Sequence, residues 1–356
     1  MEEKNLQAVE AEKDYILEVD GLKQYFPVKK DFLGRPLAFL RAVDGVSFKL
    51  ERGKTLGVVG ESGCGKTTLG RTILRLYDVS EGSAVYTSET GGKSVDLATL
   101  SHKELRNLRT ELQLIFQDPY SSLPPRMTVG AIIGEAVRVH KIVPENEIGE
   151  YVRTVMRRCG LRDYYYDRYP HEFSGGQRQR ICIARALAVK PKLVICDEPV
   201  SALDVSIQAQ IINLLKQLQR EEQMSYIFIS HDLSVVKYIS DSIAVMYLGN
   251  IVEMGNTKDI CSDAKHPYTK ALFSAVPIAN PHNKSKPEEL EGELPSPANP
   301  PKGCKFHTRC KHCTDRCREV PPTMQEVSEG HFVACHLYGS EVTGQEEPAN
   351  EEKEKN

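Results

Sequence analysis

The segment GESGCGKTT, at residues 60–68, has the residue types and spacing of a loop that binds phosphate groups. Its glycines allow successive backbone N–H groups to face phosphate oxygens at the positive end of the helix that follows. Lys66 can then reach the terminal phosphates, and the hydroxyl of Thr67 can contact Mg²⁺. The predicted phosphate-binding residues are Gly60, Glu61, Ser62, Gly63, Cys64, Gly65, Lys66, Thr67 and Thr68.

Two adjacent carboxylates follow a hydrophobic run in KLVICDEP, at residues 192–199. Open α/β sheets bind their ligands at the carboxyl ends of their strands, where Asp197 and Glu198 are expected to lie. Phosphoryl transfer depends on positioning and charge stabilisation, so we expect Asp197 to hold Mg²⁺ and Glu198 to polarise the attacking water. Without the phosphate loop, a solvated turn would explain the two acids equally well.

A second phosphate site is predicted in FSGGQRQRICIARALAV, at residues 173–189. Ser174 and the free N–H groups of Gly175 and Gly176 begin a helix with an apolar stripe, and helix N-termini bind anions. A simple helix cap at Ser174 would account for the same three residues. One chain therefore offers two candidate phosphate sites.

Composition limits the partners that the chain can have. The 46 basic residues nearly balance the 49 acidic ones, so the net charge of −3 provides no general basic field for a nucleic-acid backbone. No apolar run reaches the roughly 18 residues of a membrane span, and the first residues are charged. We therefore expect an intracellular chain that does not bind nucleic acid.

The elements that must position these residues follow from the hydrophobic pattern. Residues 15–53 alternate between apolar and polar types, which predicts a half-buried antiparallel sheet. Residues 54–60 are predicted to form a buried strand before the phosphate loop. Residues 120–173 have the pattern of a helical, loop-rich segment. Gly249-Asn250 predicts a hairpin turn. Central strands of a parallel sheet are predicted at residues 112–116, 192–196 and 226–230.

With these motifs in place, residues 15–340 resemble the ATP-binding subunit of an ABC transporter. GESGCGKTT is similar to the Walker A loop, VICDEP to the Walker B strand and FSGGQRQR to the ABC signature. SALD at 201–204 is similar to the D-loop, and ISHD at 229–232 to the switch-histidine loop. The resemblance implies an α/β P-loop NTPase core with an antiparallel β subdomain, an inserted helical subdomain and a cysteine-rich C-terminal extension.

The same resemblance implies roles for further residues. Two subunits would close head to tail, so that the phosphate loop of one and the signature of the other enclose each ATP. Gln117 would contact Mg²⁺ and the attacking water, His231 would contact the γ-phosphate, and Phe26 would stack on adenine, with Tyr25 as the alternative. The implied catalytic residues are Glu198, His231 and Gln117. The implied residues facing the partner's nucleotide are Ser174, Gly175, Gly176, Gln177 and Asp204.

The resemblance narrows to the oligopeptide, dipeptide and nickel branch of importers through QDPYSSLPPRMTVG, HPYTKAL and GCKFHTRC. It implies an ATPase subunit on the cytoplasmic face of the membrane that energises peptide import. Its partners would be a second ATPase subunit, in a heteromeric pair, two integral membrane subunits and, indirectly, an extracytoplasmic solute-binding protein. Two alternatives remain open: import of nickel or another small solute, and a soluble, non-transport ABC ATPase with a metal-sensing or redox-sensing extension.

The segment GCKFHTRCKHCTDRC, at residues 303–317, concentrates cysteines near the end of the chain. In a reducing compartment such a group favours metal binding over disulfides. By the resemblance, a 4Fe–4S cluster would be held by Cys304, Cys310, Cys317 and Cys335. Zinc is the alternative metal, because thiolate quartets suit both. Cys313 is an alternative ligand, since it forms C-x₂-C with Cys310, and His307, His312 and His336 are nearby alternatives for a mixed site. Reduced thiols that simply pack the extension are the third possibility.

The predicted domain organisation follows from these assignments. The sequence predicts a flexible N-terminus at 1–14, an ABC ATPase domain at 15–255 with its helical subdomain at about 120–173, and a C-terminal extension at 256–339. The acidic segment at 340–356 is low in apolar residues, which predicts a disordered tail.

Overall fold

The structure, a computed structural model, describes residues 14–30, 36–88, 92–275, 290 and 292–338. The predicted flexible N-terminus at 1–14, apart from Asp14, and the predicted tail at 340–356 lie outside the described residues. Within the described ranges, no helix combines the length and the apolar character that crossing a membrane requires.

Twelve strands and eleven helices are found in the described ranges. The strands are β1 (Tyr15–Lys30), β2 (Pro36–Glu51), β3 (Thr55–Val59), β4 (Glu81–Thr87), β5 (Ser94–Asp96), β6 (Leu112–Ile115), β7 (Leu193–Asp197), β8 (Ser225–Ile229), β9 (Ser242–Tyr247), β10 (Asn250–Asn256), β11 (Gln325–Ser328) and β12 (His331–Val333). The helices are α1 (Lys66–Ile73), α2 (His102–Leu108), α3 (Pro119–Ser122), α4 (Val129–Val139), α5 (Ile148–Arg158), α6 (Gly175–Leu187), α7 (Val205–Glu222), α8 (Leu233–Ile239), α9 (Thr257–Ser262), α10 (Pro267–Ser274) and α11 (Asp315–Glu319).

The first sheet has four strands in the order β2-β1-β4-β5. β1 pairs antiparallel with both β2 and β4, as the alternating pattern of residues 15–53 predicts. Val19, Val46 and Phe48 are buried, whereas Asp20, Ser47 and Lys49 are half-buried or exposed. One face of this sheet therefore contributes to the core, and the prediction of an antiparallel sheet is confirmed.

The second sheet has eight strands in the order β11-β12-β10-β9-β3-β8-β7-β6. The strands β9, β3, β8, β7 and β6 run parallel to one another. Every residue of β3, β7 and β8 is buried, which is the pattern of strands covered on both faces. These strands end at one edge of the sheet, where the phosphate loop and the two carboxylates follow them.

The prediction that residues 112–116 form a central strand is wrong. β6 is parallel, but it lies at the end of the sheet and pairs with β7. Gln113 and Leu114 are accordingly half-buried, while Leu112 and Ile115 are buried. A short apolar run indicates a strand but does not encode the position of that strand in the sheet.

Residues 119–173 contain α3, α4 and α5 with short 3₁₀ turns between them. α4 and α5 pack on each other and on α6, with Ile133, Val152 and Ile181 fully buried in the larger of two apolar cores. Thr128 caps α4 by accepting a hydrogen bond from the N–H of Ala131. α6, which begins directly after Ser174, packs both on this helical layer and on β6 of the parallel sheet.

The C-terminal residues are attached to the same large sheet. β9 and β10 form the predicted hairpin, but its two turn residues are Leu248 and Gly249, both at positive φ, rather than Gly249 and Asn250, because Asn250 already pairs with Tyr247 as the first residue of β10. β12 then pairs antiparallel with β10, through Glu253 and Val333. Strand pairing thus crosses the predicted boundary at residue 255.

Candidate nucleotide site and cysteine cavity

The phosphate loop connects β3 to α1, as the strand, loop and helix pattern predicts. Gly65 has a φ of 108°, and a Cβ atom there would lie 2.0 Å from the carbonyl oxygen of Ala42. Only glycine fits this backbone. The buried Lys66 Nζ donates hydrogen bonds to the carbonyl oxygens of Gly60, at 2.8 Å, and Glu61, at 2.9 Å. The ammonium group is therefore held over the loop whose N–H groups would face phosphates.

Asp197 ends β7 with its side chain 1% exposed. Its Oδ1 accepts a hydrogen bond from the hydroxyl of Thr67 at 2.7 Å. Its Oδ2 is buried and accepts no hydrogen bond from the described residues, although Arg71 Nη2 lies 3.6 Å away. Burial raises the pKa of Asp197, against the opposing effects of Thr67 and Arg71. A buried carboxylate oxygen without a partner, next to a hydroxyl, fits a hard divalent cation such as Mg²⁺.

Glu198, Gln117 and His231 meet at one carboxylate oxygen. Gln117 Nε2 donates a hydrogen bond to Glu198 Oε2 at 2.9 Å, and His231 Nδ1 lies 3.2 Å from the same oxygen. Glu198 has a φ of 47°, and its N–H donates to the carbonyl oxygen of Ile229 at 3.0 Å. Left-handed backbone at a non-glycine residue costs energy and is concentrated at functional sites. The three predicted catalytic residues are therefore brought together.

A cavity of about 240 Å³ lies between the phosphate loop and two of these three residues. Its lining includes residues 62–68 of the phosphate loop together with Gln117 and Glu198. Sequence analysis missed five residues of this lining, which are Leu40, Arg41 and Ala42 of β2, Gly249 of the β9–β10 turn, and Pro297 from the C-terminal extension. Arg41 donates its N–H to the carbonyl oxygen of Pro297 at 3.1 Å. No local signal marks these residues, because a long hairpin and a distant segment bring them to the loop.

The two candidate adenine-stacking residues contact other side chains. The ring of Phe26 packs edge-on against Tyr77, with centroids 5.2 Å apart. The hydroxyl of Tyr25 donates a hydrogen bond to Asp44. Neither ring is part of the cavity lining. Adenine stacking by Phe26 therefore stays a prediction.

The signature residues lie apart from this cavity. Ser174 is exposed and caps α6 in a capping box, in which its hydroxyl accepts from the N–H of Gln177 and Gln177 Oε1 accepts from the N–H of Ser174. Gly176 packs so closely on α7 that a Cβ atom would lie 2.5 Å from Ile207 Cγ2. Asp204 caps α7 through the N–H of Ile207, and a hydrogen bond from Ser206 lowers the pKa of Asp204. Both helix N-termini face solvent rather than this chain's own phosphate loop.

The four predicted cysteine ligands line one cavity of about 170 Å³ in the C-terminal extension. Burial raises the pKa of Cys304 to about 12 and that of Cys335 to about 11, and it also raises the pKa of Cys310. These thiols are therefore protonated unless a metal displaces the proton. Across the part of the chain that the structure describes, no three His, Cys, Asp or Glu side chains stand close enough to hold a metal ion. The cavity gathers the predicted sulfurs without forming a tight single-ion site.

The alternative ligands differ in position. Cys313 is not part of the cavity lining, and its Sγ donates to the carbonyl oxygen of Thr314 at 3.5 Å. His307, His312 and His336 do line the cavity. However, His336 Nε2 is 2.8 Å from the carbonyl oxygen of Val320, and His307 Nδ1 is 2.9 Å from that of Cys304. Each of these two rings therefore has one nitrogen already engaged by the backbone.

Comparisons with known proteins match both parts of the chain. The family model of the ABC transporter matches residues 43–201, and that of the oligopeptide/dipeptide transporter C-terminal region matches residues 252–317. The chain is 51% identical to the oligopeptide transport ATP-binding protein AppF of Bacillus subtilis, over 92% of this chain and 99% of that protein. It is 52% identical to the oligopeptide transport ATP-binding protein OppF of Haemophilus influenzae, over 91% of this chain and 97% of that protein.

Solved structures agree on the fold. The structure of cbiO1 from Clostridium perfringens, part of the ABC transporter complex cbiONQ, matches 70% of this chain and 92% of its own, with a TM-score of 0.58 and 29% identity. The ATP-binding cassette MJ0796 matches 68% of this chain and 98% of its own, with a TM-score of 0.59 and 22% identity. The chain therefore belongs to the ATP-binding proteins of ABC transporters, and within them to the relatives that carry the oligopeptide/dipeptide transporter C-terminal region.

Proposed function

We propose that this chain is the ATP-hydrolysing subunit of a transporter that imports oligopeptides or dipeptides. Relatives about half identical to it over nearly their whole length are named as oligopeptide or dipeptide transport ATP-binding proteins. The observation that carries the proposal is the meeting of Gln117, Glu198 and His231 at one carboxylate oxygen, with Gln117 and Glu198 in the wall of the phosphate-loop cavity. That arrangement suits activation of a water molecule next to a bound nucleotide.

In the proposed site, the phosphates of ATP face the N–H groups of residues 60–68 and the ammonium of Lys66. Thr67 and Asp197 would hold Mg²⁺. When bound, this ion would neutralise the negative charge that develops on the phosphates. Support for this assignment comes from Asp197 Oδ2, which is buried and without a hydrogen-bond partner among the described residues. Phe26 is the proposed stacking partner of adenine, with Tyr25 as the alternative.

Glu198 is the proposed general base for the attacking water. Hydrogen bonding by Gln117, and contact with His231, fix its Oε2 and with it the direction of the carboxylate. A base in a fixed position contributes to rate because proton transfer requires heavy atoms within hydrogen-bond reach. Because Gln117 and His231 both contact Glu198 Oε2, binding of the γ-phosphate to either residue would affect the position of this oxygen.

Each nucleotide would be completed by a second ATPase subunit, in a heteromeric pair. The residues proposed to face the partner's nucleotide are Ser174, Gly175, Gly176, Gln177 and Asp204. Support comes from the exposure of Ser174 and Asp204 at two helix N-termini outside this chain's own cavity. Such N-termini are suited to a phosphate that another chain presents.

The remaining partners follow from the proposed activity. Two integral membrane subunits would bind the chain at the cytoplasmic face of the membrane, and an extracytoplasmic solute-binding protein would act through them. We assign residues 15–255 to the ATPase domain, about 120–173 to its helical subdomain and 256–339 to the C-terminal extension. The balance of 46 basic and 49 acidic residues supports the exclusion of nucleic acid as a partner.

We further propose that a 4Fe–4S cluster is bound by Cys304, Cys310, Cys317 and Cys335, with zinc as the alternative. The convergence of all four on one cavity supports this ligand set over one that contains Cys313. Tetrahedral zinc would need four sulfurs about 2.3 Å from one ion, and the described residues include no such tight group. When bound, the cluster would supply folding free energy to the extension.

The experiment that tests the transport function uses Glu198→Gln. The variant should bind MgATP with wild-type affinity and hydrolyse it about 100-fold more slowly or worse, because it lacks the proposed base. Cells that carry the complete transporter should then lose uptake of a radiolabelled tripeptide. ATP hydrolysis and uptake are measured on the same preparations.

Glu221→Gln is the matched control, because it makes the same change at a half-exposed position of α7. It should leave both rates unchanged. Wild-type hydrolysis by Glu198→Gln would contradict the catalytic assignment. Uptake of the tripeptide that does not depend on Glu198 would contradict peptide import by this chain.

A further inference from the structure

Glu61, the second residue of the phosphate loop, is held by two side chains from the C-terminal extension. Arg309 donates two hydrogen bonds to its carboxylate, from Nη1 to Oε2 at 2.7 Å and from Nη2 to Oε1 at 3.0 Å. The N–H of Glu61 donates to the hydroxyl of Tyr268 at 2.8 Å. Both the side chain and the backbone of Glu61 are thus fixed by residues more than 200 positions away in the chain.

The Arg309–Glu61 pair is well shielded from solvent. The side chain of Arg309 is 6% exposed and that of Glu61 is 27% exposed. The guanidinium also lies 6.0 Å from the ring centroid of Tyr247, which is fully buried. A two-pronged arginine–carboxylate contact in such surroundings is stronger and more directional than an exposed ion pair. Lysine cannot reproduce it, because only arginine presents this planar fork.

Glu61 also contacts the residue that is proposed to bind the terminal phosphates. Its carbonyl oxygen accepts a hydrogen bond from Lys66 Nζ at 2.9 Å. A continuous set of contacts therefore runs from Arg309, next to the cysteine cavity, through Glu61 to Lys66. A second attachment lies nearby, where Lys305 Nζ contacts Asp44 Oδ2 at 2.8 Å and the carbonyl oxygen of Leu248 at 2.9 Å.

We propose that Arg309 is a positioning residue for ATP binding, acting through the carboxylate and backbone of Glu61. The inference rests on the proposed function, because it takes the phosphate loop as the ATP site. It assigns to the C-terminal extension a direct part in nucleotide affinity. Arg309 itself need not touch the nucleotide.

The contact between Arg309 and Glu61 would support ATP binding through two physical effects. Without Arg309, a carboxylate beside the phosphate loop loses its counter-charge, and it then opposes the binding of a polyanion. Glu61 also loses the side-chain contact that, together with the Tyr268 contact to its N–H, fixes the residue whose carbonyl oxygen accepts a hydrogen bond from Lys66. The charge effect is removed when Glu61 is neutralised, whereas simple damage to the fold is not.

The test measures the dissociation constant of MgATP on the full chain by calorimetry, with thermal unfolding recorded in parallel. Arg309→Gln should weaken MgATP binding roughly tenfold, the equivalent of about one charge-assisted hydrogen bond. The double variant Glu61→Gln with Arg309→Gln should recover most of that loss. Arg309→Lys should show a smaller loss, roughly threefold, and provides the test if Arg309→Gln does not fold.

Arg318→Gln is the matched control, because Arg318 lies in the same extension with its side chain 62% exposed and pairs only weakly with Asp315. It should leave MgATP affinity unchanged. Equal affinity of wild type, Arg309→Gln and Arg309→Lys would overturn the inference and leave the ATP site in place. So would a double variant that binds no better than Arg309→Gln. Failure of the wild-type chain to bind MgATP would overturn the proposed function itself.

Discussion

The phosphate cavity and the cysteine cavity lie in one chain but are built differently. The phosphate cavity takes its polar groups from the ends of β3 and β7, which are buried on both faces. The cysteine cavity is formed by a 3₁₀ turn (His307–Arg309), the five-residue helix α11 (Asp315–Glu319) and the residues that follow β12. One site is supported by a large sheet, and the other depends on short elements.

This difference determines what each site can tolerate without a ligand. The parallel sheet holds Asp197 buried with a raised pKa, and Glu198 in a left-handed conformation, although both arrangements cost free energy. The short elements around Cys304 have little regular hydrogen bonding to oppose movement. We therefore expect the phosphate cavity to keep its geometry without nucleotide, and the cysteine cavity to depend on what it binds.

The largest effect that tests this contrast is expected from Lys66→Ala. The variant should bind MgATP about 100-fold more weakly, because several charge-assisted hydrogen bonds to phosphate are lost. The melting temperature without nucleotide should change little, since the sheet supports the loop. Calorimetry and thermal unfolding measure the two quantities.

Lys103→Ala, at an exposed position of α2, is the control and should behave as wild type. Unchanged MgATP affinity in Lys66→Ala would remove the phosphate loop from the proposed site. A large fall in the melting temperature of Lys66→Ala would show that the phosphate cavity also depends on the contacts of its own loop and not on the sheet alone.

Cys304→Ser tests whether the cysteine cavity depends on a bound metal for its stability. Protein purified without oxygen should contain iron and acid-labile sulfide, and the variant should lose both. Because the bound metal contributes folding free energy, the variant should also be destabilised by about 3 kcal/mol or more. Metal analysis, an absorption spectrum and thermal unfolding provide the measurements.

Cys313→Ser is the matched control, because Cys313 lies outside the cavity lining. It should retain the metal. Equal loss of metal from both variants would require a ligand set that includes Cys313. Stoichiometric zinc without sulfide would mean that the site binds a structural zinc ion and not a cluster. The lack of any metal would contradict the expectation that the cysteine cavity depends on a bound ligand.

Asp197→Asn is expected to change stability less than Cys304→Ser does. Burial raises the pKa of Asp197, so the folded state binds the proton more tightly than the unfolded state. The ionised carboxylate therefore reduces stability as pH rises above about 3.8, the ordinary pKa of aspartate in an unfolded chain. At pH 7 without nucleotide, Asp197→Asn should be more stable than wild type by about 1 kcal/mol, while losing Mg²⁺-dependent hydrolysis.

The gain should shrink as pH falls towards 4, because protonation of Asp197 in the folded state removes the free-energy cost of burying its charge. Thermal unfolding from pH 4 to pH 8 measures it. A variant that is less stable than wild type at every pH would mean that Thr67 and Arg71 stabilise the charged carboxylate more than burial destabilises it.

Local patterns were sufficient to predict much of the fold and of the site. A buried strand followed by GESGCGKTT and a helix specifies its own geometry, and so does a strand that ends in Asp197 and Glu198. The meeting of Gln117 with Glu198 could be expected only from the family resemblance, because 81 residues separate them. The choice of Cys335 over Cys313 as a cavity residue likewise came from that resemblance.

Other features could not be predicted, because they depend on long-range packing. β6 lies at the end of the sheet, although its apolar residues resemble those of a central strand. The contact of Arg309 with Glu61 joins positions 248 residues apart, and nothing in either local segment indicates the other. Phe26 is implied by the family resemblance as the adenine-stacking residue, and no local pattern indicates the contact of its ring with Tyr77.

The pairing of β12 with β10 has a consequence for how the chain avoids self-association. A chain shortened after residue 256 would lose β11 and β12, so that the N–H and C=O groups of β10 that face β12 would lie unpaired along the edge of a six-stranded sheet. Such edges recruit strands from other molecules and lead to aggregation. The C-terminal extension therefore covers β10 and leaves the four-residue strand β11 at that edge of the sheet, and short edge strands offer few groups for pairing with another molecule.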